Sequence, residues 1–337
     1  MGKVNFIFGI HNHQPVGNFG SVFEEAYSRS YSALIDVIDR HPKIKWNLHA
    51  SGVLWNWLKS YKGEYLKKVR RMVDEGRLEL LTGGFYEPVL SALTDEDKKA
   101  QIRKLTRFIQ ENFNYTPRGL WLTERVWEPH LPKVLRESGI DYTALDDAHF
   151  NSNGIPQEKL TGYFTTDEQG CSINIFSISK MLRYMIPFSP PDDCIHYFQK
   201  FAEKNNEGLL VMADDGEKFG LWPDTYEHVY TKGWLDRLFT LLENHSDWIQ
   251  TWNFSEFMEK YPSRGIAYIP SSSYYEMSEW TLPAELEKGF KETALRCRNL
   301  YNAEECQAFL RSANWSSRPY MNVGSESFLS GVKKIQT

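Results

Sequence analysis

Runs of basic residues are missing from this chain, and so are long apolar ones. No stretch of five or more consecutive Lys/Arg occurs, and the net charge is −5 over 337 residues. Nucleic-acid backbones are therefore poor partners, because phosphate binding needs a clustered basic surface. No apolar run approaches the roughly 20 residues that carry a helix across a bilayer, so no membrane partner is expected. The N-terminal MGKVNFIFGIHNHQP passes straight into a strand-like run, without separate charged, apolar and cleavage regions. That argues against a signal peptide and makes the cytoplasm the expected location. The four cysteines, Cys171, Cys194, Cys297 and Cys306, form no C-x-x-C pair and fit neither a zinc ribbon nor a dense disulfide framework. Unpaired thiols are expected. The glycines of GGFYEP lack a following Lys-Ser/Thr, and no G-x-S-x-G elbow occurs.

Aromatic residues, in contrast, are abundant: 15 % of the chain, with 11 Trp. They give a core large buried area, and Trp and Tyr faces also stack on the apolar faces of sugar rings. Short apolar strands alternate with amphipathic helical stretches. Strands are expected at 4–10, 44–50, 78–84, 119–124, 141–147, 173–179, 208–217, 249–253 and 265–269. Helices are expected at 22–40 and 54–75, the latter stopping at Gly76, and from Thr94, whose side chain caps a first turn rich in acids. Strands separated by helices indicate βαβ units and a mostly parallel sheet. Their near-continuous apolar character fits burial on both faces, and seven or more such units favour closure into a barrel.

The residues just past the strand ends are the most informative. The first strand runs into His11-Asn12-His13-Gln14-Pro15, the third into Gly83-Gly84-Phe85-Tyr86-Glu87-Pro88, and the fourth into Thr123-Glu124-Arg125-Val126-Trp127. Asp146-Asp147-Ala148-His149 ends the fifth, and Asp214-Asp215-Gly216-Glu217-Lys218 ends the strand from Gly208. Parallel barrels carry their active sites at the C-terminal ends of strands. Two chemistries suit these residues. Retaining glycosidases use two carboxyl groups about 5–5.5 Å apart, one nucleophile and one acid/base. Arg125 beside Glu124 would keep a carboxylate ionised, as a nucleophile requires. Crowding among Asp214, Asp215 and Glu217 would raise a pKa, as a proton donor requires; alternation alone leaves Asp214 and Asp215 both open. The second chemistry is a metal site from His11 and His13 with Asp146 or Asp147, which no H-E-x-x-H or Cys cluster supports.

Five ordered blocks carry a resemblance. They are His11 to Pro15, Gly83 to Pro88, Trp121 to Trp127, Asp214 to Gly220, and Met277-Ser278-Glu279-Trp280-Thr281-Leu282-Pro283. Over residues 3–312 the chain resembles glycoside hydrolase family 57, in particular its 4-α-glucanotransferases and α-amylases. The resemblance implies an α/β fold, a (β/α)7 barrel (distorted TIM-like) with a short helical C-terminal extension, retention of the α configuration, and no cofactor or metal. It places the nucleophile on Glu124 and the acid/base on Asp215. It puts His11, His13, Glu79, Trp121, Asp147, Glu217 and Trp222 along the substrate groove, with α-1,4-glucans and maltooligosaccharides as partners; homodimerisation is left open. The expected division is a catalytic barrel over 1–282, a helical extension over 283–312 and an irregular tail over 313–337. The family's glucanotransferases carry a large β-rich domain after the barrel, whereas here the resemblance fades after Ala313-Asn314-Trp315. The competing readings are a hydrolase using the same residues, a glucan-binding barrel without turnover, and a metal-dependent deacetylase-like barrel.

Overall fold

The computed structural model of the chain describes residues 2–274 and scattered positions between 276 and 299. The expected extension over 283–312 and tail over 313–337 lie outside the described residues, apart from those scattered positions. The described residues form two compact units. One comprises residues 2–82, 105–119 and 178–262; the other comprises 83–104, 120–177 and the described residues from Ser263 onward.

The first unit is built on a parallel sheet of β1 (Val4–Asn12), β2 (Trp46–Ala50), β3 (Leu78–Leu80), β8 (Gly208–Asp215) and β9 (Ile249–Thr251). Strand β1 lies at its centre, pairing with β2 from Gly9↔Asn47 to Asn12↔Ala50 and with β8 from Val4↔Gly208 to His11↔Asp215. Its start also pairs with β9. Every residue of β1 and β2 is buried, which explains their mostly apolar character, with Asn5, His11, Asn12, Asn47 and His49 as buried polar exceptions. Phe6 packs on Phe198 at 4.9 Å, and Phe8 meets Phe239 edge-on at 5.4 Å. The helix expected at 22–40 spans Gly20–Ala26 and Ser32–Asp39, joined by a π turn at Tyr27–Tyr31. That turn brings the Arg29 carbonyl against Gly220: a Cβ there would lie 2.0 Å from the oxygen, and its φ is +127°. The helix expected at 54–75 is two, Gly52–Tyr61 and Gly63–Asp74, because Lys62 between them leaves the helical region.

The second unit holds a sheet in the order β4 (Gly119–Leu120), β5 (Tyr142–Asp146), β7 (Cys171–Ile178), β6 (Tyr163–Glu168). A mostly parallel sheet was expected, and one pairing in this unit is antiparallel. Strands β6 and β7 form an antiparallel hairpin through Gln169-Gly170, whose φ values of 50° and 78° match the two-residue turn that right-twisted strands prefer. The strand expected over 119–124 stops at Leu120, and 265–269 contributes only an isolated bridge, Thr165↔Ile266. Leu120, Leu122, Trp127, Leu131, Leu145, Phe150, Ile175 and Ile269 share one buried cluster. Among the described residues the named strands fall into these two hydrogen-bonded sheets, with the antiparallel hairpin in the second.

Candidate active site

Each unit carries one cluster of polar groups at its strand ends. In the first unit the register sets His11 of β1 between His49 of β2 and Asp215 of β8. The Nδ1 atoms of His11 and His49 share a hydrogen bond at 2.8 Å, so one of the two carries the proton. Side chains alternate along a strand, so Asp214 and Asp215 face opposite ways. The buried Asp214 accepts from Lys218 Nζ at 2.7 Å and Arg183 Nη2 at 3.1 Å. Asp215 sits half-buried at the strand's last position. Two residues on, Glu217 Oε1 accepts the His13 backbone N–H at 2.9 Å and the Tyr31 hydroxyl. Gln14 Nε2 donates to that hydroxyl at 2.9 Å. Burial pushes the Glu217 carboxyl above its ordinary range, and the Asp215 charge adds to the shift. Burial and the Glu217 charge push the Tyr31 phenol well up, so it keeps its proton and donates. Trp222, 45 % exposed, stacks on Phe188 at 6.1 Å.

The second unit's cluster forms where β4 gives way to a turn at Thr123–Arg125. Glu124 and Arg125 both have positive φ, 52° and 48°, a conformation that costs non-glycine residues energy and collects at functional sites. Neighbouring groups over-determine the turn. His149, wholly buried, places its ring nitrogens 2.8 Å from the Arg125 carbonyl oxygen and 3.1 Å from that of Asp146; burial pulls its pKa down. Ser273 Oγ donates to the Glu124 carbonyl oxygen at 2.7 Å, and the Tyr274 hydroxyl donates to Glu124 Oε2. The Trp127–Ser272 bridge and the Trp127 Nε1 bond to the Ile269 carbonyl, 2.9 Å, hold this 269–274 segment in place. The guanidinium of Arg125 pairs with Asp146 at 2.5 Å and lies over the rings of Trp121, at 5.6 Å, and Tyr274, at 4.5 Å.

The expected residues thus fall into two sets. His11, His13, Asp215, Glu217 and Trp222 lie in the first unit, and Glu124, Trp121 and Asp147 in the second. Glu79 lies deeper in the first sheet, beside Asn47. Its carboxylate accepts from the backbone N–H of Ser255, at 2.9 Å, and from its hydroxyl, capping the helix Phe254–Lys260. Four participants were missed by sequence reasoning. His49 is next to last in the second strand, inside the expected strand 44–50 and not past its end. Tyr31, Ser273 and Tyr274 come from a π turn and an irregular segment, where no periodicity marks them.

The sequence profile of glycosyl hydrolase family 57 matches residues 7–270, and the chain belongs to that family. Among individual proteins, it is similar to the 4-alpha-glucanotransferase of Thermococcus litoralis, 44 % identical over 317 residues, or 94 % of this chain and 48 % of that protein. It is likewise 44 % identical to alpha-amylase 1 of Dictyoglomus thermophilum, over 89 % of this chain and 44 % of that protein. The crystal structure of the Thermococcus litoralis 4-alpha-glucanotransferase superposes with a TM-score of 0.90 at 43 % identity, over 95 % of this chain and 50 % of that one. The expected α/β class, the barrel-like fold of this family, is borne out by that match and by the parallel strands. The chain spans about half the length of the curated relatives it matches.

Proposed function

We propose that residues 1–282 are the catalytic part of a retaining α-glucan-active enzyme, a 4-α-glucanotransferase that cleaves and transfers α-1,4-glucan chains. Glu124 is the nucleophile and Asp215 the general acid/base. The observation that carries the reading is the Glu124 turn: a strained backbone, held by His149 and Ser273, presents a carboxylate whose second oxygen is fixed by Tyr274. Such strain is expected where geometry must be fixed before the substrate arrives. A carboxylate oxygen of Glu124 bonds to the anomeric carbon as the glycosidic oxygen leaves with a proton from Asp215. An acceptor hydroxyl then returns its proton to Asp215 and displaces Glu124. His11, His13, Trp121, Asp147, Glu217 and Trp222 would hold the glucan, with Glu79 supporting from beneath.

Transfer and hydrolysis share the covalent intermediate and differ only in whether a glucan hydroxyl or water attacks it. The relative named as an alpha-amylase makes hydrolysis the second reading. Incubation of the chain with maltooligosaccharides, with product lengths separated by chromatography, distinguishes them: longer products mean transfer, only shorter ones hydrolysis. Glu124→Gln is expected to lower turnover by at least about a thousandfold while maltooligosaccharides still bind. Turnover close to wild type in that variant would sink the assignment.

A further inference from the structure

We infer that Tyr274 is a positioning residue for the nucleophile, reserving Glu124 Oε2 so that Oε1 is the oxygen that attacks. This rests on the reading of Glu124 as nucleophile. Four contacts within the second unit carry it. The Tyr274 hydroxyl donates to Oε2. Its ring lies under the Arg125 guanidinium at 4.5 Å, and Arg125 is itself paired with Asp146 at 2.5 Å, so the ring is clamped. The preceding residue, Ser273, bonds the Glu124 carbonyl oxygen at 2.7 Å, so main chain and side chain of Glu124 are gripped by consecutive residues.

A free carboxylate rotates about its last torsion and offers either oxygen, because that sp³–sp² torsion is broad. A phenol held against Oε2 removes the choice. In the first step the electron pair of Oε1 forms the bond to the anomeric carbon, the glycosidic bond breaks, and its oxygen takes the Asp215 proton. Oε2 becomes the ester carbonyl oxygen and still accepts from the phenol. In the second step the acceptor oxygen bonds to the anomeric carbon, its proton goes to Asp215, and the pair of the breaking bond returns to Oε1. The phenol donates throughout and transfers no proton. It therefore contributes orientation in the first step and stabilises the departing carboxylate in the second.

Tyr274→Phe deletes only the hydroxyl and keeps the ring under Arg125. Losing a hydrogen bond to a charged group should lower kcat by roughly 10- to 100-fold, with KM within about threefold of wild type. The factor should be similar on maltotetraose and on α-maltosyl fluoride, because fluoride leaves without a proton and the defect lies in the nucleophile. Asp215→Asn should instead lose maltotetraose turnover and keep only the first release of fluoride, a burst of about one equivalent per enzyme, because the acceptor in the second step then lacks its base. Ser273→Ala, which removes the main-chain grip and keeps the phenol, should fall less than Tyr274→Phe. The inference is overturned by a Tyr274→Phe enzyme within twofold of wild type on α-maltosyl fluoride, or by an equal fall in Ser273→Ala. Glu124→Gln separates the role of Tyr274 from that of the nucleophile. If it is inactive on the fluoride while Tyr274→Phe is unimpaired, only the role of Tyr274 fails; if it is active on the fluoride, the nucleophile assignment fails first.

Discussion

Asp214→Asn separates a structural carboxylate from its proposed catalytic neighbour. Asp214 and Lys218 are both almost fully buried and 2.7 Å apart, with Arg183 at 3.1 Å as a second cation. Burial lowers the Lys218 pKa, and the Asp214 charge opposes that shift. Removing one partner of a buried ion pair leaves the other charge uncompensated and costs about 3–5 kcal/mol. At roughly 2 °C per kcal/mol for a chain of this size, the melting midpoint should fall by about 6–10 °C. The loss should depend on pH. Without Asp214, folded Lys218 releases its proton at lower pH than unfolded Lys218 does. Between those two pKa values the unfolded state binds more protons, so stability rises with pH and the deficit narrows. Replacing both partners with apolar residues of similar volume should recover much of the loss.

Circular dichroism melts across a pH series measure the midpoint, and maltooligosaccharide turnover well below it measures chemistry. Asp214→Asn should melt early yet keep turnover within about tenfold while folded. Asp215→Asn should melt near wild type and lose turnover. A midpoint for Asp214→Asn within about 1 °C of wild type would refute the ion-pair argument. Loss of turnover in Asp214→Asn, with turnover retained in Asp215→Asn, would refute the assignment of roles.

Two further perturbations test the packing around the same strand end. Because the folded Glu217 pKa is raised, the unfolded state loses this proton first as pH rises above about 4.5, so Glu217 makes stability fall with pH through that window. Glu217→Gln, whose amide oxygen can still accept from Tyr31 and His13, should flatten the slope, as read from urea unfolding at several pH values; an unchanged slope would refute the shift. Gly220→Ala adds a Cβ 2.0 Å from the Arg29 carbonyl oxygen at a φ of +127° and should cost about 3 kcal/mol in calorimetry; a cost below about 0.5 kcal/mol would show that the π turn yields.

Elements set by periodic burial were legible, and those set by local geometry were not. Strands β1, β2, β5 and β8 fall where mostly apolar runs place them, because a strand covered on both faces is apolar at most positions, and their polar residues concentrate toward the C-terminal ends. Strand β6 was missed: YFTTDE has two apolar residues at its start and then four polar ones, with neither an apolar run nor an alternation, and part of that hairpin is not fully buried. The run 119–124 is apolar for a different reason than the one assumed. Leu120 and Leu122 enter the second unit's core, yet the chain has already left the strand, and Glu124 takes a positive φ that no residue type in Thr-Glu-Arg announces. A sequence shows that Glu124 follows a strand; only coordinates show that it stands on a turn gripped from a segment about 150 residues later.

Charge and burial act on the site as the sequence suggests in kind but through different partners, and the difference bears on mechanism. The Arg125 guanidinium pairs with Asp146, and the Glu124 carboxylate accepts from Tyr274, a partner that spacing in the sequence does not indicate. Crowding among acids was expected to raise the pKa of the donor. The Glu217 carboxyl is raised, with burial as the largest cause and the Asp215 charge as the second. Crowding acts on whichever acid water solvates least, and spacing in a sequence cannot rank burial. Glu217 is anchored to Tyr31 and the His13 amide, so its proton occupancy is coupled to the Asp215 charge without Glu217 being free to move toward substrate. A protonated Glu217 removes a negative charge from beside Asp215, and an ionised one restores it. With Asp215 as the proposed acid/base, that limb of the pH–rate profile belongs to the two carboxyls together. Glu217→Gln should move that limb to lower pH, because Asp215 would lose the neighbour that opposes its ionisation.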